Sequence, residues 1–200
     1  MPTPLPHQRT FKEGNISFQR RKEQEYPRHS PPHPFRNGGY YLLSVSTYYH
    51  APILNSPNRL MAFESFLFQE LTNHSIETAG WVILPTHYHL LVEVENLDTV
   101  SDCLKQVHGQ TAREWNLQDG QTGKRKVWYK FYDRVIRSDH HFYQALNYIH
   151  FNPVKHGFAK DPFEWVWSSL KVYFETNGRE WLRSKWKEFP IQDMNHGWGE

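Results

Sequence analysis

The residues best suited to chemistry are two histidines in the run His87-Tyr88-His89 and a tyrosine, Tyr148, followed four residues later by Asn152. His87 and His89 alternate with Tyr88. In an extended strand their imidazoles therefore leave the same face, close enough to grip one metal ion. Tyr148 and Asn152 are one turn apart on a helix and share a face there. A phenol and an amide oxygen would then reach one metal-held anionic group together. That combination suits attack on a phosphodiester, which repels nucleophiles until a divalent cation polarises it and neutralises developing charge. A phenol, with a pKa of about 10, attacks well only when a cation or base favours its anion. Each piece also has a plainer use. Thirteen histidines, including the adjacent His140-His141, can produce a close pair with no metal, and a tyrosine beside an apolar stripe can simply pack.

The elements that would carry these groups are legible from periodicity. Tyr40 to Thr47 reads as a strand after Gly38-Gly39. Ser56-Pro57 opens a helix, with Leu60, Phe63, Leu67 and Leu71 at helical spacing. Thr78–Leu84 and His87–Val94 are apolar runs parted only by Pro85-Thr86, as in an antiparallel hairpin. Asp98 opens a second helix bearing Val100, Leu104, Val107 and Thr111, and Gly120 to Gly123 is a turn. Val127 to Ile136 reads as a fourth strand. Asp139 to about Phe151 reads as a third helix whose apolar stripe is Phe142, Ala145, Leu146 and Ile149. Tyr148 lies roughly a hundred degrees from the centre of that stripe. The order predicts an α+β, ferredoxin-like fold: an antiparallel sheet with helices on one face. In the third strand, Tyr88, Leu90, Val92 and Val94 form the face to be covered. His87 and His89 are then expected on the open face.

Composition narrows the setting. Cys103 is the only cysteine, which excludes a disulfide framework and a Cys-based zinc cluster. There is no signal-peptide core at the N-terminus and no apolar run of membrane-spanning length, so a soluble cytoplasmic protein is expected. The net charge of +2 hides a strong pattern. Residues 1–38 carry seven basic and three acidic side chains and seven of the thirteen prolines, and read as an extended basic arm. Residues 39–120 carry three basic and nine acidic, and 121–137 six basic and one acidic. That last block, Lys124, Arg125, Lys126, Lys130, Arg134 and Arg137, is dense enough to attract phosphates, though a solvated loop and strand edge would look the same. The division expected is 1–38 arm, 39–157 catalytic domain and 158–200 a Trp-rich segment whose Trp165 and Trp167 pack on the domain while its end is mobile.

Four blocks in order carry a further likeness: WVILPTHYHLLVEV (81–94), TGKRKVWYKFYDRVIRS (122–138), ALNYIHFNPVKHG (145–157) and DPFEWVWSSLKVY (161–173). Together they resemble the single-tyrosine HUH transposases, specifically the REP-associated tyrosine transposases of bacteria. The resemblance implies a metal-dependent single-stranded DNA endonuclease and strand transferase acting beside a hairpin, the repetitive palindromic element. His87 and His89 would bind Mg2+ or Mn2+, with Asn152 as third ligand and His150 or Gln144 as alternative donors. Tyr148 would be the nucleophile, leaving a 5′-phosphotyrosine link and a free 3′-hydroxyl. The basic block and the arm would contact the DNA backbone. Two other readings fit parts of the sequence: a non-catalytic binder of hairpin DNA or RNA, and a metal-dependent phosphodiesterase using water. Monomer and homodimer remain equally open.

Overall fold

A computed structural model describes residues 39–191; the expected arm at 1–38 and the last residues, 192–200, lie outside them. The chain runs β1 (Gly39–Ser46), α1 (Pro57–Asn73), β2 (Glu77–Ile83), β3 (His87–Val94), α2 (Leu97–Gln118), β4 (Tyr132–Val135), α3 (Asp139–Lys155) and α4 (Leu170–Glu188). The strands form one sheet in the order β2-β3-β1-β4, every pair antiparallel. This is the expected ferredoxin-like arrangement. The helices begin where capping chemistry places them. The hydroxyl of Ser56 accepts from Arg59 N, Asn96 Oδ1 from Asp98 N, and Ser138 Oγ from His141 N.

The sheet is covered on both faces, which corrects the expectation of helices on one. Tyr41, Leu43, Val45, Tyr88, Leu90 and Val92 point toward α1 and α2. The alternate residues Leu42, Val82, Leu84 and Leu91 are apolar as well, and they pack against Phe142, Ala145, Leu146 and Ile149 of α3 and Leu170, Tyr173 and Leu182 of α4. Two apolar faces need two layers of helices. Gly80, at a register shift between β2 and β3, lets α3 come close: a Cβ there would stand 2.8 Å from Leu146 Cδ1.

β4 is shorter than the expected strand from Val127 to Ile136. Ser44 faces Tyr132, yet Thr47, three residues on, faces Trp128, four residues back. The one extra residue interrupts the ladder, leaving an isolated bridge at Trp128.

The C-terminal segment seals the other side. Trp167 O accepts from Ile83 N (2.9 Å), Ser169 N donates to Trp81 O (2.9 Å), and Ser168 bridges Val82, so residues 167–169 shield the β2 edge. Trp165 Nε1 donates to Ile83 O at 2.9 Å. α4 follows, broken at Gly178, where φ is +81°. That break shifts the helical phase midway, which is why no long periodicity shows in the sequence.

Candidate active site

β3 and α3 bring the singled-out residues together, but in the interior. His87 and His89 face α3, not solvent, and His89 and Tyr148 are each only 1% exposed. The expectation of an open histidine face, and of Tyr148 bordering the core, is corrected by the second helical layer. Access is kept by a cleft of about 270 Å³ at one end of the sheet, lined by Ser44, Val45, Ser46, His50, Thr86, His87, His89 and His156.

Both imidazoles are oriented by neighbouring hydroxyls. Thr86 Oγ1 lies 2.9 Å from His87 Nδ1, and Ser44 Oγ lies 2.9 Å from His89 Nδ1. Ser44 stands opposite His89 and Ser46 opposite His87 in the β1–β3 register. Both Nε2 atoms therefore turn toward α3. His87 Nε2 is 2.9 Å from Asn152 Oδ1, and His89 Nε2 is 3.5 Å from the Tyr148 hydroxyl, the outer limit of a hydrogen bond. An amide oxygen can only accept, so the Nε2–H of His87 donates and Thr86 donates to Nδ1. A rotating hydroxyl accommodates the other tautomer equally, which would bare Nε2 as a ligand.

Asn152 keeps helical geometry although Pro153 follows it. His156 N donates to Asn152 O at 3.1 Å, and Gly157, with φ of +71°, ends the turn. The amide is fully buried and its Nδ2 has no hydrogen-bond partner among the described residues. His150 points elsewhere, its Nε2 3.1 Å from Ser169 Oγ and its ring against Tyr173. Asn152, and neither His150 nor Gln144, is the α3 side chain hydrogen-bonded to His87.

Electrostatics favour neutral ligands and an anionic guest. Burial, then the charges of His87, His156 and Lys155, hold His89 well below the usual imidazole range, leaving a neutral lone pair. The Lys155 ammonium sits 5.2 Å from the centre of the Tyr148 ring. Arg134 is paired across from Leu42 and so shares the histidine face; burial, then the charge of Arg137, lowers its pKa, while Tyr148 acts to raise it. Among the described residues no three His, Cys, Asp or Glu side chains converge as a metal site. The polar side chain set against the histidine pair is instead the Asn152 amide.

The basic block is not one patch. Lys124, Lys130 and Arg137 are exposed. Arg125 is spent within the fold, 2.8 Å from both Asn116 Oδ1 and Asp119 Oδ2. Lys126 lies over the Tyr48 and Tyr129 rings, and Arg134 is drawn toward the site. Lys155 and Ser44 escaped the sequence reading, though both left a trace. Lys155 continues the Tyr148–Asn152 stripe, and Ser44 and Ser46 repeat the two-residue spacing of the histidines in an otherwise apolar strand.

Two known proteins are similar to this chain over about two thirds of its length. It is 28% identical over 150 residues to a protein of Haemophilus influenzae, covering 68% of this chain and 82% of the relative. It is 23% identical over 142 residues to one of Escherichia coli K12, covering 66% and 79%. Both relatives are named REP-associated tyrosine transposases, the first provisionally. A solved structure of a REP-associated tyrosine transposase bound to a REP hairpin superposes with a TM-score of 0.60 at 21% identity, over 78% of this chain and 88% of that one. That likeness shows the fold. No protein-family model matches the chain. No helix among the described residues is long and apolar enough to cross a membrane.

Proposed function

We propose that this chain is a REP-associated tyrosine transposase, an enzyme that nicks single-stranded DNA beside a hairpin and transfers the strand through Tyr148. The observation that carries the reading is the convergence of four side chains from β3 and α3: the Tyr148 hydroxyl 3.5 Å from His89 Nε2, and Asn152 Oδ1 2.9 Å from His87 Nε2. A pure binder needs no buried tyrosine poised on a histidine pair. The two relatives and the hairpin-bound structural neighbour bear the same name.

The donor set fits a divalent ion. His87 Nε2 and Asn152 Oδ1 stand 2.9 Å apart, and Asn152 Nδ2 has no hydrogen-bond partner among the described residues, so an imidazole nitrogen and an amide oxygen, both donors such an ion accepts, are held side by side. We assign His87, His89 and Asn152 as ligands of Mg2+ or Mn2+. When bound, the ion supplies a Lewis acid that polarises the phosphodiester and offsets its developing charge.

The chain's own groups then have defined tasks. Tyr148 Oη forms a bond to phosphorus as the bond to the 3′-oxygen breaks, leaving a 5′-phosphotyrosine and a 3′-hydroxyl; the phenolic proton is balanced by the proton gained at that 3′-oxygen. A second 3′-hydroxyl reverses the step on a new end. Lys155 and Arg134 offset the charge of phenolate and phosphate in a site where water is scarce. Residues 39–157 are the catalytic domain, followed by the Trp-rich segment 158–200, and Lys124, Lys126, Lys130 and Arg137 grip the backbone together with the basic residues of 1–38. The enzyme would work beside the chromosome, in the cytoplasm.

The test is a denaturing gel of the protein with labelled hairpin oligonucleotides and Mn2+, alongside Tyr148→Phe and a chelator. A covalent adduct abolished by both controls is expected. Binding without any adduct would instead favour a hairpin binder, and cleavage persisting in Tyr148→Phe a phosphodiesterase using water.

A further inference from the structure

The edge of the sheet beside the cleft carries an unusual set of exposed tyrosines. Across the strands, His89, Ser44 and Tyr132 form one row, with Tyr132 on β4 and 67% exposed. Two interstrand spacings put it roughly 10 Å from His89. The neighbouring row is His87 and Ser46, and beside it Tyr129 donates its N–H to Ser46 O at 3.0 Å. Val127 and Trp128 are buried in the core, whereas Tyr129 is half-buried, its ring against those of Tyr48 and Tyr49.

Tyr49 extends this strip. Its ring is 77% exposed and lies 4.4 Å from Tyr48 and 6.5 Å from Tyr129, centre to centre. The Lys126 ammonium sits 4.9 Å and 5.5 Å above Tyr48 and Tyr129. Tyr49 and His50 both adopt positive φ, +55° and +51°, a backbone conformation that disfavours residues other than glycine. The strain holds Tyr49 in water while His50 lines the cleft. Exposed rings next to the site, with a cation over their neighbours, suit a ligand with flat faces and a charged backbone.

We propose that Tyr49, Tyr129 and Tyr132, with Lys126, form a stacking track for unpaired bases of the DNA single strand that leads into the His87–His89 cleft. The proposal rests on the reading of the chain as a DNA-nicking enzyme and names how the strand is held. A duplex hides its base faces, so the track selects single-stranded DNA; Lys126 meets the backbone between bases.

The test compares a blunt DNA hairpin with the same hairpin bearing a short single-stranded tail that contains 2-aminopurine. The full chain is used, with chelator present, and binding is followed by anisotropy and by quenching of the probe. Tyr49→Ala and Tyr132→Ala are expected to weaken binding of the tailed hairpin roughly 5- to 100-fold. They should also relieve quenching while leaving the blunt hairpin within about twofold. Tyr49→Phe and Tyr132→Phe should restore both. Since Tyr49 and Tyr132 are exposed, melting temperatures should be unchanged. Equal losses for tailed and blunt hairpins, no loss for either, or a tail that wild type ignores would each overturn the track; the last would point to a protein partner for these rings. Tail-dependent binding by wild type with no covalent adduct under Mn2+ would sustain the track and remove the nicking reading. Adduct formation with unaltered tail binding in the variants would do the reverse.

Discussion

Acidification tests the interior directly. His108, on α2, is half-buried against the core, stacked on Trp128 at 4.8 Å with the Tyr88 hydroxyl 2.8 Å from its Nε2. His150 is buried on the other side, and its Nδ1 has no hydrogen-bond partner among the described residues. Burial pushes both from the usual 6.5 down to about 3. Both are neutral in the folded chain at pH 6.5 and below, whereas the unfolded chain takes up protons as the pH falls through 6.5. The unfolded state then binds more protons, so stability is complete above about pH 6.5 and is lost progressively down to about pH 3. Each group contributes about 1.4 kcal/mol per pH unit in that window, so the pair gives a slope of roughly 2.7 and a loss of about 5 kcal/mol between pH 6.5 and 4.5. His89 acts in the same direction. Glu64 opposes them, because burial raises its carboxyl and the fold gains when it is protonated, by at most one proton's slope. Asp119, lowered by its bonds to Arg59 and Arg125, adds a loss only at still lower pH. Against a total of about 5–15 kcal/mol for a domain, unfolding should set in near pH 4.5. The assay is urea denaturation followed by tryptophan fluorescence, in half-unit steps from pH 7.5. His108→Gln, which keeps a polar atom for Tyr88, should remove about half of the slope. A stability that stays flat from pH 6.5 to 5.0, or a slope unchanged in His108→Gln, would refute the reasoning.

Further outcomes follow from the packing of α3. Gly80→Ala drives a methyl to within 2.8 Å of Leu146 Cδ1, and should destabilise by about 1–3 kcal/mol, read as a fall in melting temperature. An Ala variant as stable as wild type would mean that α3 sits further from the sheet. Asn147 donates from Nδ2 to the carbonyls of Lys185 (3.0 Å) and Phe189 (2.7 Å) and so ties α3 to the end of α4. Asn147→Ala should cost about 1–3 kcal/mol and expose the α4 end to protease; unaltered melting and digestion would show that α4 is held by its apolar contacts alone. Lys155→Met should slow covalent adduct formation roughly 10- to 100-fold while hairpin affinity changes little, and Lys155→Arg should retain most of the rate. Equal adduct rates in wild type and Lys155→Met would leave the ammonium with a packing role only.

Local spacing determined a good deal by itself. The order of strands and helices, the shared face of His87 and His89, and the turn-apart placement of Tyr148 and Asn152 all follow from periods of 2 and 3.6 residues, which no distant contact can change. The start of α3 at Asp139 was likewise written in the Ser138 cap. What the tertiary structure alone decided concerns which surfaces meet. Leu42, Val82, Leu84 and Leu91 make the histidine face as apolar as its opposite, so α3 and α4 close over it and bury the tyrosine. Arg125 and Arg134 are indistinguishable as members of one basic block, yet Asp119 claims the first and the cross-strand place beside Leu42 turns the second toward Tyr148. The register shift between Trp128 and Tyr132 depends on pairing with β1, some eighty residues away in the chain. Periodicity is a property of neighbours in sequence; burial, pairing register and the partner of a charge belong to neighbours in space.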